Sequence, residues 1–234
     1  FILCYDEFQK KFELKGEQSL LDVTNLNRCH LQKALRNTSV VHQLMNVSKD
    51  DANKYLATPA TTSTLGHHIT GDDIEIYNLI KLTPSDANFF QQYLHPFYMK
   101  ILPPIIKRVT SAFELHEIAI LTLEYEDGSI TKCILDCIRS VLQSVNQPYG
   151  SIRHQMKSRC IAVDHDGHAQ SGEWPVVIMC GVPADIVGIA GYMCSSRARS
   201  KMLSLGVSEK HAPGRAGWKV ENYQIDASGL VVPC

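Results

Sequence analysis

The clearest pattern of apolar and polar positions runs from Glu117 to Val145. Ile118, Ile120, Leu121 and Leu123 form an apolar run rich in β-branched residues, which predicts a buried strand. Glu126-Asp127-Gly128 marks a turn, and Ser129 is placed to cap a helix. Ile130, Cys133, Ile134, Cys137, Ile138, Val141, Leu142 and Val145 then recur at helical spacing and complete one apolar stripe. The segment therefore predicts strand, tight turn, helix. Cys133 and Cys137 share the stripe, so their spacing reads as core packing rather than as a redox or metal pair.

The chain on either side changes character. Downstream, Cys160 to Val163 predicts a strand, and Val176 to Cys180 a wholly apolar one, central in a sheet. Ala184 to Met193 reads as a third strand broken by glycines. Ser195 or Ser196 is placed to cap a helix ending at Leu205, with Gly206 behind it. Trp218 to Ile225 and Gly229 to Val232 flank a hairpin turn from Asp226 to Gly229. Upstream, Tyr5 to Leu14, Leu26 to Leu35, and Lys49 to Ala57 capped by Ser48 read as polar helices. Thr58 to His68 reads as a loop, and Ile74, Ile76 and Ile80 as a short strand. Thr83-Pro84-Ser85 opens a helix to Leu94. Pro96 and Pro103-Pro104 then leave Phe97 to Leu102 as one isolated helical turn. These elements predict a mixed α and β fold, α+β or α/β. The N-terminal third is helical, and the C-terminal half is strand-rich around a central sheet. Residues 1–234 read as one domain, with a sub-boundary near 58–70.

Composition narrows the function classes. A chain of 234 residues with 44% hydrophobic content buries roughly 70% of its unfolded surface without staples. Lys plus Arg number 23 against 24 Asp plus Glu, which speaks against a nucleic-acid partner. No apolar run reaches the roughly 18 residues of a membrane span. The 8 cysteines are scattered and form no C-x-x-C pair, so they read as reduced core residues and favour a cytoplasmic protein. Cys194, ahead of the expected helix, is the best placed of them for a nucleophile.

One turn stands out for chemistry. Asp164-His165-Asp166-Gly167-His168 follows an apolar strand, and strand ends carry the reactive groups of α/β proteins. If the strand continues, Asp164 and Asp166 point the same way and suit a hard cation such as magnesium. If the chain curls, His165 and His168 join and the set suits manganese or zinc. His154 is a further ligand candidate. A bound metal would lower the pKa of its water and support hydrolysis, with Asp164 and Asp166 as catalytic carboxylates. Arg197 and Arg199 would orient a small anionic substrate such as a phosphate ester. Without a ligand, the same residues make an ordinary solvated Asp-Gly turn.

From Cys160 to His168 the pattern resembles the first motif of haloacid-dehalogenase-type phosphatases. That resemblance implies a nucleophile at Asp164 and an acid/base at Asp166. His168 stands where that family usually carries Thr or Val, and the metal expectation does not rest on it. Gly71-Asp72-Asp73 similarly resembles the catalytic turn of RNA-dependent polymerases, whose length and charge this chain does not share. The alternative to an enzyme is a non-catalytic ligand-binding or assembly module, a homo-oligomer or complex subunit, with Phe89, Phe90, Tyr93, Phe97 and Tyr98 lining a groove.

Overall fold

The computed structural model describes residues 33–34, 37–52, 64–80, 90–125, 128–155, 157–169, 172–181, 188–208, 211–212 and 214–234. The helices expected over 5–14, 26–32 and 53–57, and the helix start at 83–85, lie outside these residues. Ten strands are described. β1 (Lys33–Ala34) and β2 (Thr64–Leu65) pair with each other. The other eight are β3 (Ile74–Ile80), β4 (Ile118–Thr122), β5 (Tyr149–Gly150), β6 (Ile161–His165), β7 (Trp174–Cys180), β8 (Ala198–Ser208), β9 (Trp218–Ile225) and β10 (Val231–Pro233). They form one sheet in the order β10-β9-β3-β8-β7-β4-β6-β5. Only β9 and β10 pair antiparallel; the remaining pairings are parallel.

Parallel neighbours need crossovers, and crossovers of one hand place helices on both faces. α2 (His95–Thr110) and α3 (Gly128–Ser144) cover one face; α1 (Ser39–Ala52) and α5 (Gly188–Ser195) cover the other. The short α4 (Ile152–Gln155) lies beside β6. The result is a three-layer α/β fold. The apolar runs of β4 and β7 are buried nearly throughout because each strand meets a helix layer on both sides. After β4 the chain steps to β5 and β6, and after β7 it steps the other way to β8. The direction therefore reverses between β4 and β7, the place where such sheets open a crevice at their carboxyl ends.

Several sequence expectations are corrected. Phe97 to Leu102 is not an isolated turn: α2 runs unbroken through Pro103 and Pro104. The prolines withhold two backbone donors, but Phe97, Tyr98, Ile101, Leu102, Ile105, Ile106 and Val109 form one buried stripe that outweighs the loss. Ser48 is not a cap; it is fully buried inside α1. The first N–H groups of α1 are satisfied by the carbonyls of Ile69 and Thr70, brought from another part of the chain. Lys33–Ala34, read as helix, is a strand. The segment read as a strand over Ala184 to Met193 contains helix α5, and the expected helix from Ser195 to Leu205 is strand β8. Topology decides both, since parallel β7 and β8 require a crossover between them.

Gly71 sits where the chain bends into β3. Its φ is 82°, and an added Cβ would lie 2.5 Å from the Thr38 side chain. Gly71→Ala is expected to cost about 1–3 kcal/mol, lowering Tm by several degrees in a thermal melt. An unchanged Tm would show that the contact with Thr38 relaxes freely.

Candidate metal centre

The 164–168 turn lies at the carboxyl end of β6. Asp166 N–H donates to the Thr122 carbonyl (2.8 Å), extending the ladder with β4 by one rung. The chain then curls: His168 N–H donates to the His165 carbonyl (3.1 Å), and Ala169 N–H to the Asp166 carbonyl (3.1 Å). Ala169 is buried and pins the turn against the α1 face. Curling, not continuation, therefore decides which groups meet. The two histidines stack, with ring centroids 4.0 Å apart.

Asp164 is buried and hydrogen-bonded through both oxygens. One oxygen meets His168 Nδ1 at 2.8 Å and accepts the His165 N–H at 3.0 Å. The other accepts the Ile152 N–H at 3.2 Å, which ties α4 to β6. Asp166 turns away and accepts the Glu124 N–H at 2.7 Å. Asp164 and Asp166 thus serve different neighbours. Among the described residues two ligand sets result, each with its atoms within 4.8 Å of one another: Asp164, His165 and His168; and Glu124, His165 and Asp166. His165 belongs to both. Its Nδ1 is shut off from solvent without a hydrogen-bond partner, 4.0 Å from Glu124 Oε2. The side chains of His168 and Glu124 are 57% and 49% exposed, so both sets open to solvent.

Glu124 was not legible as a site residue. It sits just past β4, distant in sequence from the turn, and the β4–β6 register brings the two strand ends together. Its loop is fastened on both sides. Tyr125 N–H donates to Thr131 Oγ1 (2.9 Å) in the first turn of α3, and Tyr125 OH donates to the Gly181 carbonyl. In front of His165 is an open depression of about 480 Å³, with Glu124, Tyr125, Thr131 and Lys132 among its walls.

Other expected site residues lie elsewhere. Arg197 and Arg199 are at the amino end of β8, while the turn is at the carboxyl end of β6. Arg197 is buried, and Arg199 pairs with Glu173 at 3.1 Å. Cys194 is corrected as a nucleophile: it ends α5 rather than preceding a helix, and burial pushes its thiol well up. His154 is exposed on α4 outside both ligand sets. Asp72 pairs with Lys201 at 3.0 Å. Phe97 and Tyr98 are core residues, and Tyr93 packs against that core; Phe89 and the Phe90 side chain lie outside the described residues. Burial raises the Cys133 thiol and takes Cys137 up to about 12, as their core placement requires.

No protein-family model matches the chain, and no curated protein matches it. Among solved structures, 26 chains match. One is the C-terminal domain of a possible DNA helicase from Lactobacillus plantarum WCFS1, at 10% identity and a TM-score of 0.49, covering 79% of this chain and 98% of that one. Among the described residues, no helix is long and apolar enough to cross a membrane.

Proposed function

We propose that this chain is a divalent-metal-dependent hydrolase acting on a small anionic substrate of the phosphate-ester kind, with its centre at Asp164, His165 and His168. The observation that carries the reading is the meeting of these three donors within 4.8 Å at the carboxyl end of a parallel strand. Ions with nitrogen and oxygen ligands sit about 2.0–2.2 Å from each donor, so donors this close can share one. Two imidazoles and a carboxylate favour zinc or manganese over magnesium. Three protein donors with a solvent-facing side leave room for water, and a bound metal would supply its activation. Asp164 accepts the His165 and Ile152 N–H groups and meets His168 Nδ1, so the three donors are held together before an ion arrives.

The test is metal analysis of the full chain by calorimetry and mass spectrometry, joined to hydrolysis of p-nitrophenyl phosphate. Zinc or manganese is expected to bind stoichiometrically, and His168→Ala to weaken it by at least the about 10–100-fold seen on losing an outer partner of a ligand. Hydrolysis should require the same ion. Metal affinity untouched by His168→Ala would sink this centre, and tight binding without any hydrolysis would leave a metal protein that is not this enzyme.

A further inference from the structure

We infer a second cation position, formed by Glu124, His165 and Asp166, at the carboxyl ends of β4 and β6. The inference rests on the centre proposed above only through the shared His165; its other ligands are separate. Three observations carry it. The donor atoms of Glu124, His165 and Asp166 lie within 4.8 Å of one another. His165 Nδ1 is buried without a hydrogen-bond partner and faces Glu124 Oε2 across 4.0 Å. A buried ring nitrogen left unpaired is costly, and a cation beside it would satisfy it. Finally, the ligands are held before any ion arrives. The Glu124 N–H bond to Asp166 Oδ1 locks β4 to the turn while leaving the other Asp166 oxygen for a metal.

The chemistry of the position follows from its donors. One imidazole and two carboxylates suit manganese or zinc. An imidazole has two ring nitrogens but one free lone pair when neutral, so His165 can serve both ions at once only as the imidazolate, its ring N–H proton released to solvent as the second ion binds. The depression in front of His165 would receive the phosphate ester of the proposed substrate beside this ion.

The experiment is calorimetric titration of the metal-stripped full chain with manganese(II) and, separately, zinc(II), in wild type, Glu124→Gln and His168→Ala. Glu124 is half-exposed and its backbone N–H makes the tie to Asp166, so Glu124→Gln keeps the fold. Two equivalents are expected in wild type. Glu124→Gln should remove one, or weaken it at least tenfold, and His168→Ala should remove the other. A stoichiometry and affinity unmoved by Glu124→Gln overturn the second position. So does a single equivalent weakened by both substitutions, which describes one shared ion. A single equivalent sensitive to Glu124→Gln alone would keep this position and overturn the centre at His168. No binding at all overturns both.

Discussion

Phe97→Ala is expected to destabilise the protein by about 3–5 kcal/mol, the range for emptying a buried aromatic site. Phe97 has no exposed surface, and its ring lies 5.9 Å, centroid to centroid, from Tyr98 and from Tyr223 on β9. It therefore joins α2 to the sheet at the point where the helix must be held by packing. Pro103 and Pro104 deny α2 part of its own hydrogen bonding, so the stripe led by Phe97 keeps it continuous. Urea unfolding should show a lower midpoint at a similar slope. A loss below about 1 kcal/mol would mean that the prolines are tolerated for a reason other than this packing.

Glu75→Ala is expected to cost about 3 kcal/mol, the low end for removing one partner of a buried ion pair. Glu75 is buried on β3, beneath the end of α2. It accepts the Tyr77 hydroxyl at 2.7 Å, pairs with Lys201 of β8 at 3.0 Å, and pairs with Arg108 of α2. Arg108 is half-exposed and regains water when Glu75 is removed, and Lys201 keeps Asp72; these limit the loss. Burial alone would raise the Glu75 carboxyl. The Tyr77 and Lys201 hydrogen bonds and the Lys201 and Arg108 charges outweigh it, and the group titrates below its ordinary 4.5. A carboxyl whose pKa is depressed by folding adds stability that is complete above the ordinary value and lost as pH falls through the depressed one. Urea midpoints measured from neutral pH into acid should therefore separate wild type from Glu75→Gln at pH 7 and converge in acid. Curves that stay parallel throughout would show that the charge on Glu75 contributes nothing.

Local patterns were legible where one element meets one environment. β4 with α3 appears in the sequence as an apolar run followed by a complete stripe, and the structure has a strand and then a helix there, with residues 126–127 outside the described residues. The hairpin of β9 and β10 was legible for a similar reason. Its turn is built from its own residues, with Asp226 Oδ1 accepting from Ser228 and Leu230 and Gly229 at φ 80°. β8 and α5 were read the wrong way round. β8 lies between β3 and β7 with both its faces mostly buried; the alternation of Leu203, Leu205 and Val207 with Ser204, Gly206 and Ser208 was the local sign of a strand, and Ser195 and Gly206 as helix caps pointed the other way. The start of α1 was missed because its capping carbonyls come from Ile69 and Thr70.

The candidate site divides along the same line. By itself the sequence determined that Asp164, His165, Asp166 and His168 sit together after an apolar strand, because neighbours in the chain stay neighbours in space. It also determined an α and β protein with a buried central sheet, because apolar runs and stripes must be covered. Only the tertiary structure decided that the turn curls, which pairs Asp164 with His168 and sends Asp166 to Glu124. It alone decided that Arg197 and Arg199 lie at the other end of the strands. The physical reason is register: parallel pairing of β4 with β6 brings Glu124 to His165, and no local pattern in either segment encodes which strand lies beside which.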